Sequence, residues 1–255
     1  MTPFLEVSGV SKRFGGVQAV SGVSFRLRQG MIKAVIGPNG AGKTTLFNMV
    51  SGFSTPDRGT ITFGGHPIHG CRPHQVAARG ISRTFQNIRL FEHLSALENV
   101  MVGRHLRGRA GFLAGMFDLG WARREATAMR GRALEVMAFL GIEALADAEA
   151  TSLAYGQQRA VELARALASD PALVLLDEPA AGLNMRETRD LAGLITRIRD
   201  RGVTVLLVEH DMSLVMETCD EVLVLSYGEK IAEADPQTVQ RDPQVVKVYL
   251  GEEEC

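Results

Sequence analysis

Short apolar runs separated by glycines mark the first part of the chain as rich in strands. These runs carry β-branched and aromatic residues between turn signals, a pattern typical of strands. They are FLEVSGV (4–10), VSGVSFRL (20–27), MIKAVIG (31–37) and GTITFGG (59–65). Between the last two, the periodicity from Gly42 to Val50 becomes helical.

From about Leu94 to Leu167 every periodic segment has helical spacing, and no segment there predicts a strand. Strands return with ALVLLDE (172–178), VTVLLVEH (203–210) and EVLVLSYGEKIAEA (221–234), and a helix is predicted over 184–200. Unbroken apolar runs such as LVLLDE suit central strands of a parallel sheet with both faces covered. The pattern predicts an α/β core, residues 1–93 and 169–255, interrupted by a helical insert, residues 94–168.

Composition places the chain among ordinary globular proteins. Of its 255 residues 45% are hydrophobic and 22% charged, and a net charge of −1 gives no reason to expect nucleic-acid binding. Its 3 cysteines, Cys71, Cys219 and Cys255, fit a reducing compartment rather than a disulfide framework. The N-terminus lacks the apolar core of a signal peptide, and no apolar run approaches the length of a membrane span, so we expect a cytoplasmic protein.

The segment GPNGAGKTT fits the phosphate-loop pattern G-x-x-x-x-G-K-[ST] and lies between a predicted strand and a predicted helix. Glycines let successive backbone N–H groups converge on phosphate oxygens. We expect Lys43 to reach the β- and γ-phosphates and the Thr44 hydroxyl to hold Mg²⁺. The residues predicted to contact the nucleotide here are Gly37, Pro38, Asn39, Gly40, Ala41, Gly42, Lys43, Thr44 and Thr45.

An acidic pair ends the apolar run ALVLLDE. In phosphate-loop proteins an aspartate at such a strand end holds Mg²⁺, which predicts this role for Asp177. Glu178 then lies at the carboxyl edge of the sheet, where ligands of open α/β sheets bind. There it can accept a proton from an attacking water or orient that water.

Two further polar residues end β-type runs. His210 follows VTVLLVE, and its imidazole can donate a hydrogen bond to a γ-phosphate; a capping or surface histidine is the alternative. Gln86 can ligate Mg²⁺ through its carbonyl or position a water; a plain surface glutamine is the alternative.

A second anion-attracting helix start is predicted in LAYGQQRAVELARAL, residues 153–167. Unpaired N–H groups and the helix dipole favour anions at such a terminus, yet this one carries no lysine.

Together these segments resemble the ATP-binding cassette (ABC) family, the motor subunits of ABC transporters. GPNGAGKTT is similar to its Walker A motif, Gln86 to its Q-loop, LAYGQ to its signature, LVLLDE to Walker B with the catalytic glutamate, AAGLN to the D-loop and His210 to the switch histidine. The resemblance implies one cassette over 1–255, a mixed-sheet core with an N-terminal antiparallel β-subdomain and the helical insert. It also implies that Phe14 stacks on the adenine of ATP.

In this family two cassettes pair head to tail, and each signature helix covers the ATP held by its partner. The resemblance therefore implies that Gly156 and Gln157 face the nucleotide of a second subunit. The family motif reads Leu-Ser-Gly-Gly-Gln, whereas this chain has Ala154 and Tyr155, and so lacks the serine hydroxyl.

The same segments resemble the ATPase subunits of bacterial branched-chain amino-acid importers. That resemblance implies ATP and Mg²⁺ as cofactors, transmembrane permease subunits, a second ATPase subunit, indirectly a solute-binding protein, and a peripheral place on the inner face of the membrane. Urea or amide importers, exporters, soluble ABC ATPases of DNA repair or translation, and small-molecule kinases are the alternatives. The basic and apolar stretch 103–124 fits either a membrane-facing surface or the interior of the helical lobe.

Overall fold

The structure, a computed structural model, describes residues 4–86, 88–104 and 120–250. Most of the stretch 103–124 therefore lies outside the described residues. The chain divides into two units, one formed by Met1–Ile81 with Ala172–Cys255 and the other by Ser82–Pro171. Within the described ranges, no helix is both long and apolar enough to cross a membrane.

The strands form two sheets. In chain order they are β1 (Leu5–Phe14), β2 (Val17–Leu27), β3 (Ile32–Ile36), β4 (Arg58–Phe63), β5 (His66–Pro67), β6 (Ile81–Arg83), β7 (Leu173–Asp177), β8 (Thr204–Val208), β9 (Glu221–Ser226) and β10 (Glu229–Ala234). An antiparallel sheet has the order β2-β1-β4-β5, and a mixed sheet has the order β10-β9-β3-β8-β7-β6. The predicted fold class is confirmed.

The mixed sheet has the buried centre that its apolar runs predict. All residues of β3, β7 and β8 are buried, and these strands run parallel to one another. The segment 221–234 is two strands rather than one, because Tyr227 and Gly228 turn the chain with φ of 46° and 81°. β10 therefore runs antiparallel to β9 at the edge of the sheet.

The helices connect the strands and form most of the second unit. In chain order they are α1 (Lys43–Val50), α2 (Pro73–Ala78), α3 (Ala96–Gly103), α4 (Gly120–Leu140), α5 (Tyr155–Ala168), α6 (Met185–Asp200), α7 (Met212–Thr218), α8 (Pro236–Arg241) and α9 (Pro243–Leu250). The predicted helix 184–200 is confirmed as α6. Asn184 caps it by accepting from the N–H groups of Arg186 and Glu187, and the Glu187 carboxylate accepts from the Asn184 N–H.

A buried lysine on β3 contacts three other strands of the first unit, β2, β9 and β10. Lys33 on β3 is fully buried, and its ammonium pairs with Glu221 at 2.8 Å and with Glu233. It also donates to the Arg26 carbonyl at 2.6 Å and lies 5.3 Å from the centre of the Phe25 ring. A buried charge requires such partners, because burial without them is very unfavourable.

In the second unit α3, α4 and α5 pack against one another. A Cβ atom on Gly103 would lie 2.0 Å from the Arg165 carbonyl oxygen, so α3 and α5 approach closely at this glycine. At the end of this unit Asp170 binds Arg104 and, at 2.9 Å, Arg132. The unit is thus held by a close helix crossing and a charged cluster.

Candidate nucleotide site

The loop between β3 and α1 is closed by its own lysine. Lys43 is largely buried, and its Nζ donates to the carbonyl oxygens of Gly37 at 2.6 Å and Pro38 at 2.9 Å. Ala41 N–H donates to the Pro38 carbonyl at 3.2 Å. Asn39, Gly40 and Thr44 are exposed, and Thr45 is half-buried. The loop therefore presents its tip and the first hydroxyl of α1 to solvent.

Two glycines of this loop cannot be replaced without moving the backbone. Gly37 has φ 145°, and a Cβ atom there would lie 2.1 Å from the Leu225 carbonyl oxygen. Gly42, which caps α1, has φ 97°, and its Cβ would lie 2.4 Å from the Ala19 carbonyl oxygen. Both positions combine a left-handed backbone with a close neighbour, which only glycine allows.

The acidic pair lies at the sheet edge from which the Lys43 loop emerges. Asp177 is buried at the end of β7, in register with Val208 of β8, which is in register with Val35 of β3. Burial lowers the pKa of Lys43, and the carboxylates of Glu178 and Asp177 oppose that shift. The positive charge of the phosphate loop is thus set among carboxylates at one edge of the sheet.

Glu178 has an uncommon backbone conformation. Its φ of 47° is in the left-handed region, which disfavours residues other than glycine. Its N–H donates to the Val208 carbonyl at 2.9 Å, and its own carbonyl accepts from Ala181 N–H at 3.1 Å. A strained backbone that is fixed from both sides is a feature of functional sites.

His210 follows β8 with its ring largely exposed, since the side chain retains 63% of its accessible surface. The residue before it, Glu209, is fully buried. Glu209 accepts from the backbone N–H groups of Ala180, His210 and Asp211 at 2.8, 3.0 and 3.2 Å. The sequence pattern did not predict a role for Glu209, although a carboxylate directly after a buried apolar run signals a special environment.

Phe14 ends β1 and is exposed over 54% of its surface, so it is not a core residue. Lys12 Nζ lies 5.6 Å from the centre of its ring and 2.8 Å from the Asp57 carboxylate. An exposed aromatic face is available for stacking.

The second helix start lies in the second unit. Ala154 caps α5 without a side-chain acceptor, and its N–H donates to Gln157 Oε1 at 3.1 Å. Ser152, just outside the motif, donates its hydroxyl to the Glu149 carbonyl at 2.8 Å. The first N–H groups of a helix have no partner within it, so α5 keeps an anion-attracting terminus without a serine.

Charged side chains along α5 hold the loop that contains Gln86. Arg159 donates to the carbonyl oxygens of Phe85 at 2.9 Å and Gln86 at 2.6 Å, and to Tyr155 Oη at 3.2 Å. The Phe85 N–H donates to Glu162 at 3.4 Å. Burial raises the pKa of Glu162, and Arg159 is among the groups that oppose this shift. Tyr155, where the family has a glycine, thus contacts the arginine that holds the Gln86 backbone.

The structure brings most of the predicted residues together in the first unit. The loop 37–45 follows β3, and Asp177 and Glu178 lie at the end of β7. His210 follows the end of β8, the strand between them. Gln86, Gly156 and Gln157 lie in the second unit. The sequence pattern also did not predict that Arg159 binds the backbone of the Gln86 loop. Its signal was the spacing of Arg159, Glu162 and Arg165, which places three charges on one face of α5.

Comparison with known proteins decides the family. Residues 20–181 match the ABC transporter family, and residues 229–255 match the branched-chain amino acid ATP-binding cassette transporter family. The chain belongs to the ABC transporter family. It is 44% identical to the high-affinity branched-chain amino acid transport ATP-binding protein BraF of Pseudomonas aeruginosa, over 98% of both chains. It is 40% identical to the corresponding LivG protein of Escherichia coli, also over 98% of both chains.

Solved ABC cassettes share this fold. A nucleotide-free ATP-binding cassette of an ABC transporter is similar with a TM-score of 0.86 and 32% identity, covering 98% of this chain and 100% of that one. A dimeric bacterial ABC transporter cassette is similar with a TM-score of 0.78 and 25% identity, covering 91% and 98%. The family resemblance, the ABC ATPase fold and nucleotide binding are thereby confirmed for this ABC ATPase.

Replacing Lys43 by Ala is expected to weaken ATP binding at least about tenfold, since the phosphates lose a cation held inside the loop. Isothermal titration of the purified protein with ATP measures the change, with the exposed Lys247→Ala as the control. Equal ATP affinity in the two variants would contradict the site.

Replacing Arg159 by Lys is expected to loosen the loop around Gln86, because lysine lacks the planar fork whose two separate nitrogens reach the Phe85 and Gln86 carbonyls. Amide hydrogen exchange in a peptide spanning 82–95 should become about tenfold faster, the equivalent of one net hydrogen bond. Tyr155→Phe, which removes only the hydroxyl contact, is the matched control and should change exchange less. Unaltered exchange in Arg159→Lys would show that the arginine does not hold the loop.

Proposed function

We propose that this ABC ATPase is the ATP-hydrolysing subunit of a membrane importer for branched-chain or other hydrophobic amino acids. The observation that carries the hydrolytic part is the shared sheet edge: the loop of the buried Lys43 follows β3, and Asp177 and Glu178 lie at the end of β7 in register with it through β8. The cargo is supported by the relatives of similar length that are named for branched-chain amino acid transport, and by the match of residues 229–255.

Each residue of the first unit has a role in this proposal. Lys43 and the loop N–H groups hold the β- and γ-phosphates, and Phe14 stacks on the adenine. Glu178 accepts the proton of the attacking water or orients that water. His210 donates a hydrogen bond to the γ-phosphate. The exposure of Phe14 and of the His210 ring leaves both accessible to nucleotide.

Thr44, Gln86 and Asp177 offer a hydroxyl, an amide carbonyl and a carboxylate, which are the hard oxygen donors that Mg²⁺ prefers. The bound ion supplies positive charge to the phosphate oxygens. In the first unit, Thr44 and Asp177 would hold that charge at the sheet edge from which the phosphate loop emerges.

A second subunit, identical or related, completes the site. The start of α5, with Gly156 and Gln157, contributes N–H groups and dipole to the γ-phosphate of the partner's ATP. ADP has no γ-phosphate, so ATP favours the closed pair and hydrolysis releases it. Ala154 provides no hydroxyl, and closure depends on the helix terminus itself.

In this proposal closure and release drive transmembrane permease subunits at the cytoplasmic face of the membrane, which receive solute from a solute-binding protein. The loop around Gln86 is bound to α5, the signature helix, through Arg159. A displacement of that loop by the permease would therefore also displace α5, which belongs to the same unit.

Replacing Glu178 by Gln is expected to retain ATP binding and to lower hydrolysis by about 10²–10⁴-fold, since the water loses its base. ATP should also induce a stable dimer, detected by size-exclusion chromatography with light scattering. The exposed Glu217→Gln serves as the control and should hydrolyse ATP normally. Parental turnover in Glu178→Gln would remove Glu178 from the mechanism.

Deletion of the gene should abolish high-affinity uptake of labelled leucine, isoleucine and valine by the cells that carry it. The wild-type gene should restore uptake, and the Glu178→Gln gene should not, because closure without hydrolysis stops the cycle. If the deletion strain took up these amino acids normally but lost uptake of urea or amides, the proposed cargo would be wrong and urea or an amide would be the cargo instead.

A further inference from the structure

Glu209 is a buried carboxylate whose hydrogen bonds join two separate loops. Its Oε1 accepts from Ala180 N–H at 2.8 Å, in the turn that follows Glu178. Its Oε2 accepts from the N–H groups of His210 and Asp211 at 3.0 and 3.2 Å. The residue has no exposed surface, so water does not compete for these bonds.

The turn that carries Glu178 is fixed at both of its ends by two consecutive residues, the last residue of β8 and the residue that follows it. Val208 binds the Glu178 N–H through its carbonyl, and Glu209 binds the Ala180 N–H through its side chain. Glu178 itself keeps a left-handed φ of 47° between these two anchors. Such a conformation persists only where the surroundings determine it.

The loop that carries His210 depends on the same carboxylate. The His210 ring is largely exposed, and its Nδ1 lies 4.0 Å from Glu209 Oε2. Asp211 begins α7 by accepting from the N–H groups of Ser213 and Leu214. The backbone between strand and helix is therefore held by Glu209 on one side and by the helix cap on the other.

Only a carboxylate suits this position. It has two acceptor oxygens and no donor, whereas a carboxamide has one acceptor and an NH₂ group that would face a backbone N–H. Burial raises the pKa of Glu209, and the three backbone hydrogen bonds oppose that shift. The unfavourable burial of this carboxyl group is thus offset by hydrogen bonds that hold two loops.

We propose that Glu209 is a positioning residue for ATP hydrolysis, which fixes the turn of Glu178 and the loop of His210 relative to each other. The inference rests on the roles of Glu178 and His210 given in the proposed function. Both side chains must meet the same γ-phosphate and its attacking water, and displacements of about 1 Å cost about 10²-fold in rate.

The first test is Glu209→Gln, which retains the size of the side chain and one acceptor. We expect kcat to fall about tenfold to hundredfold while the Kd for ATP, set by the Lys43 loop, changes less than about twofold. The control is Glu233→Gln, which weakens a buried ion pair of Lys33 in the same unit. It should lower the unfolding temperature without changing kcat. Normal kcat in Glu209→Gln would overturn the proposal.

A backbone ester at position 180, with lactic acid in place of Ala180, removes only the N–H that Oε1 accepts. It leaves the carboxylate in place, so it tests the same contact if Glu209→Gln does not fold. We expect a loss of kcat in the same direction, again without a loss of ATP affinity. Wild-type kcat in the ester protein would show that this contact positions nothing.

A double-mutant cycle separates this inference from the proposed function. If Glu209 acts through the His210 loop, Glu209→Gln should cost clearly less in kcat in a His210→Ala background than in the wild type. Additive losses would indicate a general structural effect and refute the inference. If His210→Ala and Glu178→Gln each hydrolysed ATP normally, the proposed function itself would fail.

Discussion

Three parallel strands that end in register are the constraint on which the rest of the structure depends. Val35, Val208 and Asp177 are neighbours across β3, β8 and β7, so the residues that follow them leave the sheet at one edge. The phosphate loop, Glu178 and Glu209 are these residues. Because all three strands are buried on both faces, a slip of one residue would place every side chain against the wrong neighbours in a close-packed core, and the edge is therefore held in register.

Three residues at this edge have conformations or environments that lower the stability of the fold. Lys43 is buried, Glu178 has a strained backbone and Glu209 is a buried carboxylate. Each is maintained by hydrogen bonds to groups that the strand ends place in fixed positions. Backbone groups near the site, such as the Gly37 carbonyl and the Ala180 N–H, therefore bind buried side chains.

In the second unit, hydrogen bonds from a helix hold an irregular segment of the chain. The carbonyl groups of Phe85, Gln86 and Arg89 belong to an irregular segment that follows β6. The guanidinium groups of Arg159 and Arg165 bind them from α5, at distances of 2.5–2.9 Å. A planar group with several donors suits neighbouring carbonyls, and the helix whose start we propose to bind an anion thereby also supports the Gln86 loop.

Local pattern alone determined the phosphate loop, the strand-end pair Asp177–Glu178, the central strands and α6. These features depend on residues next to one another: glycines that permit a backbone turn, apolar runs that require burial, and caps within one helical turn. The phosphate-loop pattern also predicted glycines at positions 37 and 42. It did not show why Gly37 must be glycine: a Cβ atom there would collide with the Leu225 carbonyl oxygen, which is distant in sequence.

Tertiary structure decided the remaining features. Segment 221–234 has two apolar parts separated by SYGEK, and these parts pair as a hairpin because Tyr227 and Gly228 turn the backbone. Glu209 meets Ala180, and Arg159 meets Gln86, across 29 and 73 residues of chain. Periodicity reports which face of an element is buried, but not which distant N–H or carbonyl will lie opposite a buried charge. Only the assembled sheet and helix unit bring those groups within hydrogen-bond distance.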